Sequence, residues 1–162
     1  MRALLLGLTI LVVHIAVVGQ VSTARYSHPP PGGIHLLPGY VHVSEQGIDT
    51  SVGTIAKEGG LHIRYDIGSL AGNYADPEKR RPDERVIWSK TQKLRDLTMI
   101  LTLFKGGSLV ATFRETCANF LGSNATTDEQ IIDFVLMIST YHEKPPNLRR
   151  IPKQMRIFYL GC

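Results

Sequence analysis

Residues 97 to 141 constrain the fold of this chain more than any other stretch, because two strand patterns there precede one strongly apolar helix. Apolar side chains occupy every second position from Leu97 to Leu103 and again from Leu109 to Phe113. A period of two indicates β-strands, and Lys105-Gly106-Gly107 between them supplies the positive φ angles of a tight turn. The stretch therefore predicts a β-hairpin, a short connection and a helix.

The helix has two candidate starts. Thr126 with Glu129 and Thr127 with Gln130 each fit a capping box, and a pair of prolines ends the pattern. The predicted helix covers about residues 127–142. Apolar side chains cover most of its circumference, so we expect it to be largely buried.

Alternation elsewhere predicts the other strands. The clearest case runs from Leu61 to Ile67, where every second residue is apolar and is expected to face the core. Similar patterns cover residues 40–44, 52–57, 85–90, 94–104 and 108–114. We therefore predict an α+β fold: a single antiparallel sheet of about five or six strands, with the 97–113 hairpin at its centre and the helix packed on one face.

The N-terminus has the composition of an export signal. Arg2 precedes an apolar run of about 16 residues, and Ser22-Thr23-Ala24 offers small residues for cleavage, so residues 1–24 are predicted to be a secretory signal peptide. A retained anchor is the alternative, although the run is shorter than the roughly 20 residues of a spanning helix. No later stretch could span a membrane. We expect a secreted or periplasmic protein.

Cleavage would leave about 140 residues, which is enough for one domain with a real core. Residues 25–33 are rich in Pro and Gly and predict an extended lead-in and then a turn, without packed structure. Residues 34–146 would form the α+β domain. Residues 147–162 are a basic and then apolar C-terminal tail.

Positive charge is concentrated near the C-terminus. The net charge is +4, yet residues 144–162 alone hold five Lys or Arg and no acidic residue. The rest of the chain is therefore near neutral, which argues against a nucleic-acid-binding body. Candidate contacts of the tail with a protein partner or an anionic surface are Arg149, Arg150, Lys153, Arg156, Phe158 and Tyr159.

Two positions favour covalent modification. An even cysteine count in an exported protein favours a disulfide between Cys117 and Cys162, worth about 4 kcal/mol in the chain-entropy model. The alternative is a buried thiol and an exposed one. Asn124 begins the glycosylation sequon Asn-Ala-Thr, although the same residues are also placed to cap the helix without any sugar.

One strand face carries the weak candidates for catalysis. His62, Arg64 and Asp66 project on the same side, about 7 Å apart, where they could bind a polar ligand or transfer a proton. A solvated outer face is the simpler interpretation. The histidines lack the spacing of a metal site, and no nucleophile elbow or phosphate loop is present. We therefore expect neither a metal nor a cofactor.

Three functional hypotheses follow from these patterns. The first is a small exported binding or interaction protein without catalytic activity, with the tail as its contact surface. The second is a small exported enzyme, such as a hydrolase, with its site on the His62, Arg64 and Asp66 face. The third is a structural subunit of an envelope assembly that buries a sheet edge, or the reverse apolar face around Ile100 and Phe104, in a neighbour.

Overall fold

The computed structural model describes residues 29–68, 71, 85–144, 148–150 and 153–154. In this part of the chain there are seven strands and one α-helix. They are β1 (Val41–Glu45), β2 (Ser51–Ala56), β3 (His62–Ile67), β4 (Val86–Leu94), β5 (Leu97–Phe104), β6 (Leu109–Phe113), β7 (Ala118–Ser123) and α1 (Asp128–Ile138). The predicted signal peptide lies outside the described residues.

All seven strands form one antiparallel sheet in the order β1-β2-β3-β7-β6-β5-β4. Two meanders, β1–β3 and β4–β7, meet at a single ladder between β3 and β7, where Tyr65 pairs with Phe120 and Ile63 with Gly122. The α+β class and the single antiparallel sheet are confirmed. The predicted count of five or six strands is wrong, because the sheet has seven.

The strand that the sequence pattern did not predict is β7, at the centre of the sheet. Asn119 and Gly122 are poor strand formers and weaken its pattern. In the structure Phe120 faces the main core, while Asn119 is fully buried on the reverse face and its Oδ1 accepts a 2.7 Å hydrogen bond from Thr112 Oγ1. A cross-strand partner therefore makes a buried amide acceptable in the centre of the sheet.

The hairpin predicted to be central lies instead between β7 and the edge strand β4. The predicted strand over residues 94–104 is in fact the end of β4, a turn at Arg95-Asp96 and β5. Arg95 adopts a positive φ of 56° there. Because glycine and asparagine are the residues that normally mark such a turn, the sequence did not indicate it.

The main core lies between the sheet and α1. The alternation predicted for β3 is confirmed, since Ile63, Tyr65 and Ile67 are buried there. Phe134 of α1 is fully buried and lies over Gly122 of β7, where an added Cβ would come within 2.9 Å of its ring. The missing side chain at the sheet centre therefore lets the helix approach closely.

The helix is shorter and more exposed than predicted. Its cap is Thr127 with Gln130, one of the two predicted capping boxes. It ends at Ile138, where the Thr140 hydroxyl donates to the Met137 carbonyl at 2.6 Å, rather than near residue 142. Ile132 and Leu136 remain 55% and 51% exposed, because the sheet covers only one side of α1.

The Pro/Gly-rich lead-in is packed where it is described. Residues 31–33 form a 3-10 turn, and the Gly32 carbonyl accepts a 2.9 Å hydrogen bond from the His142 backbone N–H. Gly32 has a φ of 61° and lies so close to the Tyr141 ring that a side chain would collide with it. The prediction of an unpacked segment is therefore wrong for residues 31–33, since the chain after α1 covers them.

The reverse face of the sheet has a small core of its own. Phe104 and Val110 are fully buried, with Val86, Ile100 and Leu121 packed around them. Phe104 is thus already covered within the chain and does not form the open apolar face that one version of the envelope-subunit hypothesis uses; its other version, burial of a sheet edge, stays a prediction.

We predict that Gly122→Ala lowers the free energy of unfolding by about 1–3 kcal/mol, because the added methyl group overpacks the contact with Phe134. Urea denaturation measures the change. Unchanged stability of Gly122→Ala would contradict the close helix–sheet contact.

A partly buried hydrogen bond from the Tyr40 hydroxyl to Asp133 Oδ2, 2.8 Å long, joins the residue before β1 to α1. Burial, and then this bond, raise the pKa of Tyr40 to about 12. A raised folded-state pKa contributes stability that is complete below pH 10 and is lost as the pH rises towards 12. Tyr40→Phe should lower stability by about 1 kcal/mol at pH 7 and make its loss between pH 10 and 12 less steep in thermal melts. An unchanged alkaline slope would contradict this role.

Candidate functional site

The three side chains predicted on the outer face of β3 do lie together on the reverse face of the sheet. His62 and Arg64 are exposed, and Asp66 is half-buried. Arg64 pairs across the sheet with Leu121 of β7. Asp66 pairs with Val52 of β2.

Arg64 and Asp66 line a cleft of about 290 Å³, and His62 does not. Strands β1, β2, β3 and β7 all contribute to this cleft, which we call the charged cleft. Its lining residues are Glu45, Val52, Gly53, Arg64, Tyr65, Asp66 and Leu121.

Strand register puts the two acidic residues of the charged cleft, Glu45 and Asp66, in one row across the sheet. Glu45 pairs with Val52 and Val52 pairs with Asp66, so the three form one row across β1, β2 and β3. Since neighbouring strands are about 4.8 Å apart, the two acidic positions are about 10 Å apart. Glu45 Oε1 accepts a 3.0 Å hydrogen bond from Thr54 Oγ1, which fixes the carboxylate at the edge of the cleft.

The sheet itself forms the floor of the charged cleft at Gly53 and Tyr65. Side chains alternate across a strand, so the Tyr65 side chain lies on the core side of the sheet, opposite Arg64 and Asp66. Gly53 pairs with Tyr65, and a Cβ at Gly53 would collide with the Tyr65 hydroxyl and the Val43 carbonyl oxygen. The missing side chain therefore lets the Tyr65 hydroxyl reach over β2 to β1, where it lies 2.7 Å from His42 Nε2.

Aromatic side chains on the core side hold the strands beneath the charged cleft. The His42 and Tyr65 rings stack with their centroids 5.6 Å apart, and Phe120 packs on the other side of Tyr65. Burial raises the pKa of Tyr65, so its hydroxyl stays protonated at neutral pH and keeps its contact with His42. These contacts join β1, β3 and β7, which all line the cleft.

The walls of the charged cleft combine charge with apolar surface. Two carboxylates, Glu45 and Asp66, face one guanidinium, Arg64, so the formal charge of the lining at neutral pH is −1. Val52 and Leu121 add partly buried apolar surface. The arrangement suits a ligand with a positive group next to an apolar one.

Sequence reasoning missed most of this site. Glu45 lies just beyond the predicted strand over residues 40–44, and Gly53 lies inside the predicted strand over residues 52–57, where nothing marked it as part of a site. A glycine inside a strand also marks a close approach of other groups, and that signal could have indicated Gly53. Nothing in the sequence brings Leu121 to Arg64, because β7 itself was not predicted.

Other predicted site residues are placed only in part. Arg149, Arg150 and Lys153 are exposed, whereas Arg156, Phe158 and Tyr159 lie outside the described residues. Asn124 is exposed and has a φ of 61°, and its glycosylation stays a prediction. Cys117 is fully buried and is not a free thiol. Its bond to Cys162 stays a prediction, because Cys162 is outside the described part of the chain.

Metal-binding and membrane-spanning features were sought in the same part of the chain. The described residues contain no group of three or more His, Cys, Asp or Glu that could hold a metal ion. None of the described helices has the length and apolar character needed to cross a membrane. Comparison of the chain with protein-family models, curated proteins and solved structures finds no match.

Proposed function

We propose that the protein is a small exported binding protein without catalytic activity and that the charged cleft is its ligand site. The observation that carries this proposal is the convergence of Glu45, Arg64 and Asp66 on one cleft. Four strands supply its lining, so the groups are held by the rigid sheet rather than by loops. Such preorganisation favours binding.

The size and charge of the cleft define the ligand class. A volume of about 290 Å³ is at the lower end of the roughly 300–1,000 Å³ of small-molecule sites. The excess of one carboxylate favours a cationic group, and Val52 with Leu121 favours a short apolar chain beside it. We therefore propose a small amine as the ligand class.

The same geometry disfavours the enzyme hypothesis. His62 and Asp66 are four residues apart on one strand, which corresponds to about 13 Å. Proton transfer within a pair requires hydrogen-bond reach of about 3 Å or one bridging water. His62 also lies outside the cleft lining, so an acid–base pair on β3 lacks the necessary contact.

We predict that butylammonium shifts the backbone amide NMR signals of Val52, Asp66 and Leu121, whereas butyrate does not. Glu45→Gln should weaken butylammonium binding about fivefold, because an exposed ion pair contributes about 1 kcal/mol. His62→Gln is the matched control, since His62 shares the strand face but not the cleft. Equal binding of butyrate, or equal losses in the two variants, would contradict the proposal.

The exposed cationic side chains near the C-terminus support a second binding surface, separate from the charged cleft. Arg149, Arg150 and Lys153 are all exposed, and clustered cations attract anionic surfaces with a strength that falls as salt screens them. Under this candidate function the tail attaches the binding protein to an anionic surface.

We predict that the protein co-sediments with vesicles containing an anionic phospholipid at 20 mM salt and dissociates at about 500 mM salt. Replacing Arg149, Arg150 and Lys153 together by Gln should reduce the bound fraction severalfold at low salt without changing the melting temperature. The matched control replaces Lys90, Lys93 and Lys105, which are exposed on β4 and in the β5–β6 turn. An equal reduction in that control would show that general charge, and not the tail, is responsible.

A further inference from the structure

A second cleft, of about 170 Å³, lies where the β4–β5 turn meets the segment after α1. Residues 94–97 line one side and residues 141–144 the other, and none of them lines the charged cleft. We call it the turn cleft. Its volume is below the usual range for small-molecule sites, so it suits a compact ligand.

The turn carries an arginine where the backbone favours glycine. Leu94 pairs with Leu97, so Arg95 and Asp96 form a two-residue hairpin turn, and Arg95 has a φ of 56°. A side chain in the left-handed region is strained, and glycine is preferred at such a position. Folding alone therefore does not explain Arg95, and strained residues of this kind are typical of ligand sites.

The opposite wall is held in place by a buried tyrosine. The Tyr141 hydroxyl donates to Glu143 Oε2 at 2.8 Å and lies 3.0 Å from Thr116 Oγ1. Burial raises the pKa of Tyr141, so the hydroxyl stays protonated and keeps this bond at neutral pH. Glu143 thus has a fixed position across the cleft from the arginine turn.

Charges of both signs face this small space. Arg95 and Lys144 are cationic, Asp96 and Glu143 are anionic, and all four side chains are exposed. Their formal charges cancel, which disfavours a simple anion or cation and suits a ligand that carries both charges. Leu94 beside them is half-buried and adds apolar surface.

We propose that the turn cleft binds a free aliphatic α-amino acid. The Arg95 guanidinium would take the ligand carboxylate in a two-point hydrogen-bonded pair. The carboxylates of Asp96 and Glu143 would take the ammonium group. The aliphatic side chain would contact Leu94. This site does not depend on the charged cleft, and Glu45→Gln should leave it unchanged.

Calorimetric titration of the full chain with leucine tests the ligand class. Saturable binding is expected, with at least tenfold weaker binding of leucinamide, which lacks the carboxylate, and of N-acetylleucine, which lacks the ammonium group. No saturable leucine binding would overturn the proposal. Equal affinity for either derivative would overturn it as well, because the cleft would then not recognise both the carboxylate and the ammonium group of the ligand.

Arg95→Gly separates ligand binding from folding. The variant should bind leucine at least tenfold more weakly while its melting temperature stays the same or rises, because glycine relieves the strained turn. Asn124→Gly is the matched control, since Asn124 is also exposed with a φ of 61° but lies outside the turn cleft. It should keep wild-type leucine affinity, and unchanged binding by Arg95→Gly would overturn the proposal.

Discussion

The structure depends on the ladder between β3 and β7. Each meander alone needs only hairpins between neighbouring strands, whereas this ladder pairs Tyr65 with Phe120 across a long sequence separation. Forming it closes a large loop, which is entropically costly. The compensation is burial, because Ile63, Tyr65 and Phe120 enter one core under α1. The helix and the charged cleft lie on opposite faces of the sheet that this ladder holds together.

Two glycines in strands each admit a side chain on the core side of the sheet. At Gly122 the missing side chain admits the Phe134 ring and brings the helix onto the sheet. At Gly53 it admits the Tyr65 hydroxyl, which reaches His42 on β1. Glycine weakens a strand by conformational entropy, so its presence in two strand interiors is explained by close approach rather than by propensity.

Polar side chains near the core each have a hydrogen-bond partner. His42 is buried on the core side of β1 while Val41 beside it is 57% exposed, an inversion of the usual pattern. The partner of His42 is the Tyr65 hydroxyl, which makes the burial of a polar ring acceptable. The same rule holds for Tyr40 with Asp133 and for Tyr141 with Glu143. These pairs fix the strand and helix positions around both clefts.

The sequence by itself determined the elements whose signals are local. The alternation of β3, the Gly106-Gly107 turn and the Thr127 cap are periodicity and turn chemistry, and each depends on residues close in the chain. Only the tertiary structure determined that β7 is the central strand, that the chain turns at Arg95, and that Glu45 and Arg64 line the same cleft. Their signals are weak locally, because their stability comes from partners on other strands. The sequence showed that Arg64 and Asp66 share a face, and only strand register brought Glu45 and Leu121 to them.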